Sequence, residues 1–279
     1  IIYLYIMITF ASAFYILNSK FSPLKYEKWF SNFLINVKNF NLVVFCDSKS
    51  RKLSEKYSAN NKNIKLINLT IEEFYNYKYK NYWIKNHKKN NLLNSKSKHN
   101  TSWELNMLWS EKLSFVKNII ENDYFPKTEW YGWCDIGYFR GECYGDISKE
   151  EIQSWPNIDK INELNKDKIY YAIARNDMSY LQKLFKIINT KNNVGLPSIP
   201  IPNDQWSIAG GFFMIYKDNM NEWHKLYDNK LKLYFENDYL VKDDQIIIID
   251  CIMSNLKKFK LVQQEKRGDP WFLFQRYLL

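Results

Sequence analysis

The chain opens on 17 residues without a charge, IIYLYIMITFASAFYIL. The run is short for a membrane span, has no basic residues before it, and is rich in β-branched and aromatic side chains. It therefore predicts a buried first strand centred on Met7–Phe14 in preference to a membrane anchor or signal segment, with Met7 a candidate initiator. The period then changes. Ser22 is an N-cap candidate, Pro23 sits at the first helical position, and Tyr26, Trp29, Phe30, Phe33 and Leu34 follow at helical spacing. NLVVFCD is a continuous apolar run ending in Asp47, as in a buried parallel strand. A polar helix over Ser48–Ser58 and a short strand in NIKLINL complete a β-α-β-α-β succession. That order predicts an α/β fold with an open, mostly parallel sheet and helices on its faces.

A basic segment, residues 77–100, interrupts the alternation. Beyond it, TSWELNMLWSEKLSFVKNIIEN predicts one long helix. Thr101 or Ser102 would cap it, and Leu105, Leu108, Trp109, Leu113, Val116 and Ile120 form its apolar stripe. EWYGWCDIG and KIYYAIAR predict strands, with the helix MSYLQKLFKII after them. The three prolines and the glycine of NVGLPSIPIPNDQ require a loop. SIAGGFFMIY predicts a strand broken by two glycines. MNEWHKLYDNKLKLYFEN and KDDQIIIIDCIMSNL predict helices, and FKLV a last strand. No internal repeat or linker divides the chain, so residues 1–279 are expected to form one domain.

Composition adds charge to this picture. The chain carries a net +10, and residues 1–100 hold 17 Lys and Arg against 5 Asp and Glu. The excess peaks in residues 77–100, which contain no acid. Such a run is either a solvated polar insertion or an anion-binding surface. Aromatics make up 18% of the chain, many of them Tyr and Trp, whose polar tips suit pocket walls. The four cysteines, Cys46, Cys134, Cys143 and Cys251, form no C-x-x-C pair and have no histidine at ligand spacing. Three of the four read as small core residues, a reducing, cytoplasmic compartment is expected, and a zinc site is not.

Three stretches carry candidate chemistry. WYGWCDIG is apolar up to Asp135 and turns at Gly137, which places a carboxylate at a strand's C-terminal end, where α/β sheets bind ligands. An aspartate there can equally cap the next turn. IAGGFFMIY puts Gly210 and Gly211 within a strand pattern, a mark of close backbone approach. VKDDQIIII opens an apolar helix with Asp243, Asp244 and Gln245, although carboxylates at a helix start also complement its dipole.

In this order the stretches resemble a glycosyltransferase of the GT-A type. WYGWCDIGYFR is similar to the W-x-D-x-G variant of the D-x-D motif in the HtrL/YibB-like group and related viral and bacterial proteins. FNLVVFCD, ending in Asp47, resembles the strand against which the nucleotide base packs. IAGGFF resembles the acceptor-side glycine strand, DDQ the acidic segment facing the transferred sugar, and WSEKLSFVKN the lysine-bearing helix before the D-x-D strand. The resemblance runs from about Met7 to Asn255 and departs from the pattern where Gly137 replaces the second carboxylate. It implies a nucleotide-sugar donor, a glycan or other hydroxyl acceptor, and a divalent cation, Mn²⁺ or Mg²⁺, for which Asp135 is the one motif ligand. Asp135 is otherwise a ribose contact. Lys112, Arg140, Lys266 and Arg267 are candidate diphosphate partners. Asp244 is the candidate acceptor base and Asp243 the alternate. His87, His99 and His224 are poor base candidates, the first two for lying in the basic segment and the third for its ordinary helical surroundings.

Two other classes compete. YKYKNYWIKNHKK interleaves aromatics with lysines, as single-strand nucleic-acid binders do, but no nucleic-acid motif accompanies it. A glycan-binding protein without catalysis is the other. No specific nucleic acid and no transmembrane span are expected, while peripheral membrane association is compatible with the basic segment.

Overall fold

The structure is a computed structural model and describes residues 8–95, 100–141, 147–263 and 268–279. The strands are β1 (Ile8–Phe14), β2 (Asn41–Cys46), β3 (Ile64–Asn68), β4 (Trp130–Cys134), β5 (Ile169–Ala172), β6 (Phe212–Tyr216) and β7 (Phe259–Val262). Helices α1 (Pro23–Ile35) and α2 (Ser48–Ser58) connect the first three strands. Helices α3 (Lys80–Lys89), α4 (Trp103–Ser110) and α5 (Lys112–Glu121) precede β4. Short helices α6 (Lys149–Ser154) and α7 (Ile158–Asn162) follow β4. Then come α8 (Met178–Asn189), α9 (Met220–Glu236), α10 (Asp244–Ser254) and α11 (Leu273–Tyr277).

The strands form one mixed sheet in the order β3-β2-β1-β4-β6-β5-β7. All neighbours run parallel except β6, which is antiparallel to both β4 and β5. The period-2 pattern sorts side chains between two core layers. Ile8, Phe10 and Phe14 of β1 and Leu42 and Val44 of β2 face the layer built with α1, α2, α6, α7 and α11. Ala11, Ala13, Val43, Phe45, Tyr131 and Trp133 face the layer built with α5, α8, α9 and α10. With both faces covered, the strands read as continuous apolar runs. The predicted mixed, mainly parallel α/β sheet flanked by helices is the architecture found. Among the described residues no helix is long and apolar enough to cross a membrane.

The direction of β6 decides where its glycines go. Gly210 and Gly211 lie ahead of the strand in a turn, not inside it as the pattern predicts. Because β6 is antiparallel, its start lies at the edge where β1, β2, β4 and β5 end. The Asp135 N–H donates to Gly211 O at 2.9 Å across that edge.

Two expectations about helices need correction. The single helix expected over 101–122 is two, α4 and α5, meeting at Glu111. The Glu111 carboxylate is buried and accepts the N–H groups of Tyr75 and Asn76 at 2.7 and 2.9 Å and the Asn76 side-chain amide at 2.7 Å. The basic segment is also no solvated insertion over its described part. Its helix α3 buries Trp83 edge-on against Phe235, with ring centroids 4.7 Å apart, and Tyr82 stacks on the same ring. Lys85 and Lys89 pair with Asp238, and Lys78 with Asp228. Trp83, spent on packing, is not available to stack on a base, whereas Tyr82 keeps an exposed edge.

The same segment supports the chain entering α10. Asn86 exchanges hydrogen bonds with Val241 through its amide and carbonyl, at 2.8 and 2.9 Å. Asn106 also donates to Val241 O and Asn90 to Lys242 O, each at 2.8 Å. Trp83→Ala should therefore cost about 3–5 kcal/mol of stability, the range for emptying a buried Trp site, measured by urea unfolding. A loss under about 1 kcal/mol, the scale of a surface change, would return the segment to a solvated insertion.

Candidate functional site

Three elements deliver charged side chains to the sheet edge at an open cleft. Asp135 follows β4, Lys112 begins α5 and Asp244 begins α10. The Lys112 ammonium donates to Gly210 O at 2.8 Å and lies 3.0 Å from Asp244 Oδ2 and 3.3 Å from Asp135 Oδ1. An ammonium has three N–H donors, and here three oxygens surround it. Asp135 Oδ1 also accepts the Trp133 indole N–H at 2.5 Å. The side chains of Lys112 and Asp244 are 9% and 4% exposed, whereas that of Asp135 is 42% exposed and faces the cleft.

Gly210 and Gly211 are small because the carboxylates press on them. A Cβ at Gly211 would lie 3.1 Å from Asp135 Oδ2. One at Gly210 would lie 3.0 Å from Gln245 Cγ and 3.3 Å from Asp244 Oδ2. Gln245 thus packs against the glycine turn, with its Oε1 buried and without a hydrogen-bond partner. Asp243 is the cap residue of α10, in extended conformation. Its Oδ2 pairs with Lys242 at 3.2 Å, while its Oδ1 is buried without a partner.

Cations and aromatics build the cleft walls. The Arg140 guanidinium lies over Trp29, 4.3 Å from the ring centroid, and over Phe272 at 5.1 Å, while its Nε–H donates to Gly137 O at 3.1 Å. Gly137 itself packs against Trp29. The Lys20 ammonium sits over Trp109, 4.8 Å from the centroid.

Of the sequence-predicted residues, Lys112, Asp135, Gly137, Arg140, Gly210, Gly211, Asp244, Gln245 and Asp243 gather at or beside this edge. Asp47 does not line the cleft. It ends β2 and caps α2, accepting the Ser50 N–H at 2.7 Å. Lys266 and Arg267 lie outside the described residues, as do Cys143 and His99. His224 is buried away from the cleft, bonded to Ser114 Oγ at 3.1 Å, and burial pushes its pKa down to about 4. Lys20, Tyr26 and Trp109 were missed. Lys20 had a readable signal, since it lies in the loop after β1, and loops at strand C-termini bind ligands in such sheets.

Burial shapes the titrations. It raises Asp244 to about 6, against the pull of Lys112 and with help from Asp243 and Asp135. It raises Glu111 to about 7, against the N–H bonds from Asn76 and Tyr75. It lowers the Lys112 pKa too, but Asp135 and Asp244 outweigh it, so the net shift is upward. For both acids the folded state holds its proton longer than the unfolded chain does. Their contribution to stability is thus full below about pH 4, the ordinary carboxylate range, and is lost as pH rises through 6 to 7. The melting temperature should fall from pH 5 to pH 8, and Glu111→Gln should flatten that fall. An unchanged slope in the variant would remove Glu111 as its source.

The divalent cation implied by the resemblance can be tested against these groups. Mg²⁺ or Mn²⁺ needs hard oxygen ligands at about 2.0–2.1 Å. Asp135 and Asp244 are the two carboxylates nearest each other at the cleft floor, and the Lys112 ammonium already occupies the space between them. Among the described residues no group of three His, Cys, Asp or Glu is placed to hold a metal. The set does not fit a carboxylate-bound divalent ion.

No family model and no curated protein sequence matches this chain. Among solved structures it is similar to mouse xyloside xylosyltransferase 1 in its apo form. The likeness covers 91% of this chain and 84% of that one, at 14% identity and a TM-score of 0.47.

Proposed function

We propose that this protein is a glycosyltransferase, moving a sugar from a nucleoside diphosphate to a hydroxyl acceptor. The observation that supports this most is the convergence at the carboxyl edge of the sheet of Asp135 and Lys112, which line the cleft, with Asp244 and the Gly210–Gly211 turn packed directly behind them. Its walls combine aromatic faces with cationic side chains. Tyr26 and Trp109, which line the cleft, offer surfaces for a base or sugar ring. Arg140 and Lys20 offer charge for a diphosphate. Asp135, half exposed, takes a ribose hydroxyl.

In the transfer step the acceptor oxygen forms a bond to the anomeric carbon, and the bond from that carbon to the diphosphate oxygen breaks. The electron pair leaves with the nucleoside diphosphate. The acceptor proton passes to Asp244, whose raised pKa suits a base working near neutrality. Gly210 and Gly211 let the two carboxylates pack against the backbone at this point. Lys112 holds Asp135 and Asp244 at fixed separation, so both are set before substrate arrives.

A thermal-shift panel of UDP, GDP, CDP and dTDP tests the reading. One of them should raise the melting temperature selectively, since ligand at one hundred times Kd adds about 2.7 kcal/mol. Hydrolysis of the matching nucleotide sugar would then separate an enzyme from a glycan-binding protein. If no nucleotide of the panel shifts the transition, the donor site is not where we place it.

A further inference from the structure

We infer that the fixed cation of this site is the Lys112 ammonium itself, standing where a divalent metal would sit, so that the protein binds a nucleoside diphosphate without a metal. The inference rests on the donor-site reading above.

The geometry carries it. A metal bridging protein and diphosphate must share oxygens with the protein. Among the described residues the candidate oxygens are those of Asp135 and Asp244, which come from separate elements and meet around Nζ of Lys112. That nitrogen is 2.8, 3.0 and 3.3 Å from a backbone carbonyl and one oxygen of each carboxylate. It is 9% exposed and cannot swing into solvent without breaking all three contacts. A dication placed among the same oxygens would lie within a few ångströms of a buried positive charge, where repulsion is weakly screened. Asp135 Oδ1 is further shared with the Trp133 indole, and residue 137, where a second carboxylate would help, is Gly137 packed on Trp29.

The charge a metal would bring to a diphosphate is supplied instead by fixed side chains. Arg140 is locked over Trp29 and Phe272, and Lys20 over Trp109. Lys112 is thus a positioning residue. It neutralises and spaces the two carboxylates while donating to Gly210 O.

Mn²⁺ binding, followed by the loss of the free-ion electron paramagnetic resonance signal, tests this without substrate. Wild type should take up no Mn²⁺ that Asp135→Asn abolishes. Lys112→Met should gain a Mn²⁺ site, because the emptied carboxylate pair is then free to ligate, and Lys112→Met with Asp135→Asn should lose it again. Uptake by wild type that depends on Asp135, or a folded Lys112→Met that gains none, would overturn the inference. A second measurement does not need that variant to fold. The affinity of wild type for whichever of UDP, GDP, CDP or dTDP binds best should agree within about twofold in Mn²⁺ and in EDTA. Tightening by Mn²⁺ of about tenfold or more, 1.4 kcal/mol, would sink the inference while leaving the donor site standing. If none of the four binds in either condition, the donor-site reading fails, and the Mn²⁺ titration alone decides the role of Lys112.

Discussion

Asp244→Asn should lower kcat by about 10²- to 10⁴-fold, the usual cost of losing a general base, while nucleotide affinity stays near that of wild type. The residue opens α10, whose apolar run Ile246–Ile249 is buried in the core. The backbone entering that helix is held by Asn86, Asn90 and Asn106, so the carboxylate has little freedom to wander. Asparagine keeps the shape and the contact with Lys112 but cannot take a proton. The pH dependence gives a second check. With the Asp244 pKa at about 6, wild-type kcat should climb as pH rises through that value and level off above it. The variant should show no such limb. Asp243→Asn should do less, since that side chain is paired with Lys242 at the helix cap. If the two variants exchange behaviour, Asp243 is the base. If both keep full activity, neither carboxylate takes the acceptor proton.

Lys112→Met should remove activity and also cost about 3–5 kcal/mol of folding stability, the range for leaving a buried charge without its partner. Methionine keeps the length and apolar stem of lysine but supplies no charge to Asp244, which is more deeply buried than Lys112 itself. The loss should be larger at pH 8 than at pH 5. Near pH 5 Asp244 already holds a proton in the folded state, so less negative charge is stranded. Urea unfolding of wild type and variant at the two pH values measures the difference. Equal losses at both would mean that the lysine stabilises by packing alone. Lys112→Arg is not expected to rescue, because a planar fork cannot replace a point donor among three convergent oxygens.

Much of this could be read from the chain. The apolar runs at β1, β2 and β4 gave the sheet and its covered faces, because a two-residue period maps directly onto opposite sides of a strand. Ser22 and Pro23 marked the start of α1. The Asp135, Gly210–Gly211 and Asp243–Gln245 stretches stood out because carboxylates after apolar strands and glycines within them conflict with local packing rules. Asp47 stood out for the same reason and turned out to be a helix cap, since a strand-end aspartate looks alike in sequence whether it faces a ligand or the next N–H.

Local pattern determined which residues lie on strands and helices, which faces they bury, and which few polar groups sit at element ends. Tertiary structure decided the partnerships. Lys112 and the Gly210 carbonyl are 98 residues apart, and no spacing rule links them. They meet because β6 runs against its neighbours and brings its entry turn to the edge where β4 ends. The burial of Glu111, the docking of the basic helix α3 against α4 and the chain entering α10, and the approach of Lys20 to Asp243 depend likewise on which elements the sheet order makes adjacent. Periodicity is a property of neighbours in the chain, whereas the charge balance of this cleft is set by neighbours in space.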